Sequence, residues 1–245
     1  MTVSKSYFLC FTVRSGSTLL SQLLSDTGIA GHPQEHFYHN IGPENPAGDR
    51  IPDYGRFVEE TLERGSTPNG VFGSKIGGGY WHDFASRLRG IEGMRAHSLQ
   101  QALDRYFPAL RYIHLTRRNK VRQAVSHWMA IQSGRWHSTD SLRERNPKYD
   151  FAAIDHLLQE IVIRDAVWAE YFAGNCIKPK VIIYEDFVQD LHGTLVGILR
   201  FLDIDLPSEL ELPSPRYEGL AGDLSEEWLQ RFRREKQSGW WRQFW

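Results

Sequence analysis

Cysteine is scarce in this chain. Cys10 and Cys176 are the only two in 245 residues, and both lie in apolar stretches far apart in sequence. That excludes a disulfide scaffold and predicts two reduced, buried thiols in a cytoplasmic setting. No Cys/His set carries zinc-finger spacing, so no metal is expected. Long apolar runs are missing as well. None approaches the ~20 residues of a membrane-spanning helix. The opening MTVSKSYFLCFTV has no separate apolar core or small-residue cleavage site, so it is not read as a signal peptide. Net charge is almost absent, with 29 Lys and Arg against 30 Asp and Glu. No whole-protein field draws in nucleic acid or anionic membrane, and any anion site must be local.

What the chain does have is a pattern at Tyr7 to Leu24, YFLCFTVRSGSTLLSQLL. Tyr7 to Val13 is an apolar run of strand character. Arg14-Ser15-Gly16-Ser17-Thr18 interrupts it, and Leu19, Leu20, Leu23 and Leu24 resume at helical spacing. Strand, small-residue loop and helix in that order aim free N–H groups of a helix N-terminus at whatever lies above the loop. Gly16 allows close backbone approach. Ser15, Ser17 and Thr18 add hydroxyls, and Arg14 adds a guanidinium fork. An oxyanion suits such a loop. A Walker A loop does not match, because the Lys after the second glycine is missing.

Further strands are predicted at 71–76, 109–116 and 180–184 and helices at 57–63, 95–106, 120–132, 151–172 and 190–202, the last capped by Asp190. Alternation of this kind implies an α/β fold with a parallel sheet and right-handed crossovers. The second basic strand exit is Arg117-Arg118-Asn119-Lys120, opening a helix expected to bury Val121, Ala124, Val125, Trp128 and Ile131. Arg118, Arg122 and Ser126 share another face of it. Lys75 ends an apolar strand, where a cation is unusual without a partner. It either neutralises a ligand or reaches solvent at the strand end. Gly77-Gly78-Gly79 then permits a flexible turn. The segment Gly31 to Phe37 brings three titratable groups, His32, Glu35 and His36, on an extended loop. Residues 41–52 and 134–149 read as polar loops and 206–215 as a proline-bearing linker. Trp240, Trp241, Phe244 and Trp245 put aromatic surface at a terminus, which suits docking on this chain or on a second copy in a homodimer.

Several of these segments together resemble the PAPS-dependent sulfotransferases, and most of all the bacterial trehalose 2-sulfotransferase-like family. The matching motifs are R-S-G-S-T-L-L from Arg14, G-x-P-Q-E-x-F from Gly31, T-P-N-G-V-x-G-x-K from Thr67, Q-A-V-S-x-W from Gln123, and S-x-E-W with following arginines near the end. The resemblance implies a three-layer, P-loop-like domain over residues 1–245, with a linker and helical tail from 206. It implies transfer of a sulfonate from PAPS (3′-phosphoadenosine 5′-phosphosulfate) to a hydroxyl of a small acceptor, a carbohydrate or glycolipid. Arg14, Ser15, Gly16, Ser17 and Thr18 would hold the 5′-phosphosulfate. Ser126 with Arg117 or Arg118 would hold the 3′-phosphate, Arg117 fitting the trehalose-type spacing. Glu35 falls at the general base, with His32 or His36 as alternatives, and Lys75 would assist at the sulfonate. Trp136 matches a family tryptophan. One of Arg231, Arg233, Arg234 and Lys236 would approach the cofactor. Departures at His36 and over Gly77 to Trp81 leave the acceptor open. A P-loop-like kinase and a non-catalytic PAPS- or nucleotide-binding protein are the competing readings.

Overall fold

The computed structural model describes residues 2–39, 48–136, 146–207, 213–214 and 222–238. The aromatic residues 240–245 and parts of the expected loops and linker (41–47, 137–145, 208–212 and 215) lie outside the described residues. The elements in order are β1 (Lys5–Phe11), α1 (Ser17–Asp26), α2 (Tyr54–Gly65), β2 (Val71–Gly77), α3 (Trp81–Gly90), α4 (Leu99–Tyr106) and β3 (Arg111–Thr116). There follow α5 (Lys120–Ser133), α6 (Phe151–Gly174), β4 (Lys180–Ile183), α7 (Tyr184–Phe187), α8 (Leu191–Phe201) and α9 (Asp223–Gln237).

The four strands form one sheet in the order β2-β1-β3-β4, and every pairing is parallel. β1 lies inside the sheet with both faces covered, which is why its sequence is a continuous apolar run and does not alternate. Phe8 and Cys10 face one aromatic layer with Phe84, Phe107, Tyr112, Trp168 and Phe172. Tyr7 and Leu9 face the other layer, with Leu20, Leu23 and Leu24 of α1 and Leu195, Ile198 and Leu199 of α8. A third cluster joins α5, α6 and α9 through Val125, Ile161, Trp228 and Phe232. The fold is therefore α/β with helices on both faces of a parallel sheet.

Several expectations shift. β1 stops at Phe11, because the chain turns out of the sheet where Arg14 (φ 62°) and Gly16 (φ 93°) adopt left-handed backbone. α3 goes unannounced in the sequence. It starts directly after Gly77 to Gly79, which do not form a loose turn: a Cβ on Gly78 would lie 2.7 Å from the Arg164 carbonyl oxygen. The surface helix at 95–106 shortens to α4, set by a capping box between Ser98 and Gln101. Ile131 is 43% exposed, at the end of α5 that leaves the core. Cys176 is exposed, in the turn after α6, while Cys10 is buried in the sheet.

Candidate active site

The β1–α1 loop is held from several sides. The Arg14 guanidinium donates from Nε to Ser126 Oγ at 3.1 Å and from Nη1 to the Trp136 carbonyl at 2.6 Å. Arg117 Nη1 donates to the Arg14 carbonyl at 3.1 Å, and Gln123 Nε2 donates to the Val13 carbonyl at 2.7 Å. The two basic strand exits thus meet in one cleft. α1 begins after Gly16, which has no side chain with which to cap the first-turn amides. Ser15 is fully buried, and its hydroxyl has no hydrogen-bond partner among the described residues. Buried hydroxyls are almost always satisfied, and this one keeps an unused donor at the loop.

Of the two candidate arginines, Arg117 lines the cleft. Its guanidinium lies 4.2 Å above the Tyr184 ring and 3.8 Å from Glu185. Burial pulls its pKa below the usual guanidinium range, with Tyr184 and Glu185 opposing. Arg118 instead turns its side chain to Asp186, where two nitrogens reach the two carboxylate oxygens near solvent. Its backbone N–H donates to Glu185 at 3.0 Å, and the Asn119 N–H does so at 3.2 Å. Burial pushes the Glu185 carboxyl up, but these backbone donors and Arg117 hold it lower on balance. Tyr184 and Glu185 are not among the candidate site residues of the sequence analysis. Tyr184 packs so closely on the first loop that a Cβ on Gly16 would fall 2.4 Å from its ring.

Glu35 is brought to the same edge of the sheet by its neighbours. Gln34 forms a bridge to Ser74, and its carbonyl accepts from the Lys75 N–H at 2.8 Å. The Ser21 hydroxyl of α1 donates to the Pro33 carbonyl. Glu35 is thereby set between α1 and β2, 3.2 Å from Lys75 Nζ. Lys75 is 5% exposed, so Glu35 supplies the partner that a buried ammonium needs. Tyr80 lies against the pair and donates its hydroxyl to the Lys75 carbonyl at 3.1 Å. Burial first, and then the Glu35 charge, push its phenol well up. His36 points elsewhere. Its ring bonds the His32 carbonyl at 2.9 Å and lies near Phe72, and burial lowers its pKa. His32 is exposed.

Trp136 is 42% exposed, with its ring 5.9 Å from that of His127. Two of the tail cations have partners. Arg231 bonds Glu235 and stacks on Tyr149, while Lys236 pairs with Asp155. A small cavity of about 50 Å³ opens at the opposite end of the sheet, between Lys5, Arg111 and Leu202, and none of the candidate site residues lines it.

A model of the Stf0 sulphotransferase family matches residues 6–235. The chain belongs to that family. It is 29% identical to trehalose 2-sulfotransferase of Mycobacterium tuberculosis, over 94% of this chain and 95% of the relative. Identity to the trehalose 2-sulfotransferase of Mycolicibacterium smegmatis is 28%, over 95% and 96%. Among solved structures, a sulfotransferase from Alicyclobacillus acidocaldarius aligns with a TM-score of 0.50 at 17% identity, over 97% of this chain and 96% of that one. The sulfotransferase domain of the curacin biosynthetic pathway aligns with a TM-score of 0.50 at 14% identity, over 92% and 83%. These two support the fold.

Two outcomes follow from the geometry. Gly16→Ala strains a left-handed residue and drives a methyl into Tyr184, so urea denaturation should show a loss of about 1–3 kcal/mol. An unchanged midpoint would contradict the tight clamp. His127 is pushed down to about 4 by burial, then by the charges of Arg164 and Arg14. Its folded pKa lies below the unfolded one, so the unfolded chain binds more protons between the two values. Stability therefore falls as pH drops from about 6.5 towards 4. His36, His39 and His114 shift the same way. His127→Asn should shallow the decline of the urea midpoint between pH 7 and pH 5. A decline parallel to that of the wild type would refute it.

Proposed function

We propose that this sulfotransferase takes its sulfonate from PAPS and passes it to a hydroxyl of a carbohydrate. The observation that carries this reading is the junction of the two loops, where Arg117 bonds the Arg14 carbonyl and Arg14 bonds Ser126. A ligand with anionic groups at two ends suits that cleft. The donor set fits such a nucleotide: an unpartnered buried Ser15 hydroxyl, an uncapped helix N-terminus and two buried or half-buried guanidiniums.

In this reading the amides and hydroxyls of Ser15, Gly16, Ser17 and Thr18 hold the 5′-phosphosulfate, with Arg14 beside them. Arg117 and Ser126 hold the 3′-phosphate. Arg118 is left out, because its side chain is engaged by Asp186. Glu35 takes the proton of the attacking hydroxyl as general base. Its 38% exposure leaves it open to a substrate from the solvent side. Lys75 orients the Glu35 carboxylate and adds positive charge where oxygen charge develops. PAPS supplies the sulfonate. Its sulfur–oxygen bond to phosphate breaks as one to the acceptor oxygen forms, leaving a sulfate ester and adenosine 3′,5′-bisphosphate. The names of the two mycobacterial relatives make trehalose the first acceptor to test.

Glu35→Gln should keep the affinity for adenosine 3′,5′-bisphosphate within about threefold while turnover with PAPS and trehalose, or another accepted sugar, falls by about 10²–10⁴-fold. Turnover at the wild-type level would remove Glu35 from the role.

A further inference from the structure

Asp165 of α6 has no part in the chemistry above, yet its carboxylate reaches the roots of both basic loops. One oxygen accepts from the Thr12 hydroxyl. The other accepts from the Thr116 hydroxyl at 3.0 Å and from the Lys120 ammonium. Lys120 also donates to Thr116 Oγ1 at 2.7 Å. Thr12 follows β1 and stands two residues before Arg14. Thr116 ends β3 and precedes Arg117. Lys120 opens α5, which carries Ser126. Phe11 pairs with Leu115, so the two threonines leave the sheet side by side.

The same helix grips the neighbouring strand ends. Trp168 donates its indole N–H to the Phe11 carbonyl at 3.2 Å. The Arg164 carbonyl packs on Gly78 at a separation that leaves no room for a Cβ. α6 is thus a bar across the carboxyl ends of β2, β1 and β3. Asp165 and Lys120 have only 16% and 25% of their side chains exposed, so their charges depend on these partners. Asp165 also offsets the Lys120 charge, which sits unfavourably at the positive end of α5.

One ligand can engage both cradles only if their separation matches its own span. Binding the second end is then intramolecular, and a misplaced cradle loses that advantage. We propose that Asp165 is a positioning residue that fixes the spacing of the two cradles and so couples the binding of the two anionic ends of the donor. This rests on the donor reading above. A ligand that fills one cradle is indifferent to the spacing, whereas one that fills both is not.

Calorimetric titrations of the full chain test this with three probes: adenosine 3′,5′-bisphosphate, adenosine 5′-monophosphate and adenosine 3′-monophosphate. Asp165→Asn and Thr12→Val should each weaken the bisphosphate by about tenfold or more and each monophosphate by less than about threefold. Thr12→Val leaves the Asp165–Lys120 pair in place and carries the test if Asp165→Asn does not fold. Equal weakening of all three probes would reduce Asp165 to a general structural role and overturn the proposal. So would bisphosphate binding that neither variant changes. Wild-type protein that binds the bisphosphate no better than either monophosphate would overturn the donor reading itself, before any variant is compared, and the coupling with it.

Discussion

The site depends on one contact that brings two cations together, the hydrogen bond from the Arg117 guanidinium to the backbone carbonyl of Arg14. Two guanidiniums in one half-buried cleft repel each other unless something negative stands near. Glu185 supplies part of that charge from below, and the Tyr184 ring supplies a face for Arg117 to rest on. The loop itself adds strain, since Arg14 holds a left-handed backbone that a non-glycine residue seldom adopts. Strain of this kind persists only where surroundings over-determine it. Here Gln123, Arg117 and Asp165 bind the loop at three successive residues, Val13, Arg14 and Thr12.

A second constraint concerns Lys75. A buried ammonium in an apolar strand requires a counter-charge, and the chain provides it by running Gln34 alongside Ser74 as a short bridge at the sheet edge. Glu35 is thereby delivered to the lysine and fixed there. The requirement for charge neutrality in the strand and the placement of a carboxylate beside the cleft are met by the same pair. His36, one residue on, lies in the turn closed by the Tyr38 N–H on the Glu35 carbonyl at 3.2 Å, and it packs against Phe72. That turn separates Glu35 from His36 as candidates.

β1 was legible because it is apolar on both faces, and the long helix α6 because its stripe of Ile154, Leu157, Ile161, Trp168 and Phe172 recurs at helical spacing. Arg14, Ser15 and Ser126 were legible as a strand exit and a helix face. What periodicity could not show was the third dimension. Arg117 and Arg118 are adjacent in sequence, yet Arg117 meets the Arg14 carbonyl, the Tyr184 ring and Glu185 while Arg118 meets Asp186 near solvent. Glu185 lies 67 residues beyond the loop it braces, and Asp165 takes the stripe position of α6 between Ile161 and Trp168, a polar residue that interrupts the apolar recurrence. α3 was hidden because three glycines precede it, and the middle one, Gly78, is needed for close packing against α6. The exposed Cys176 escaped because apolar neighbours in sequence do not ensure burial at a helix end.

The central claim is that two cradles at neighbouring strand exits grip opposite ends of one nucleotide. A crystal structure of the protein with adenosine 3′,5′-bisphosphate tests it most directly. The account predicts the 5′-phosphate on the amides of residues 15–18 and the 3′-phosphate against Arg117 and Ser126. A nucleotide bound elsewhere, or one whose 3′-phosphate points to solvent while Arg117 keeps its present partners, would contradict it.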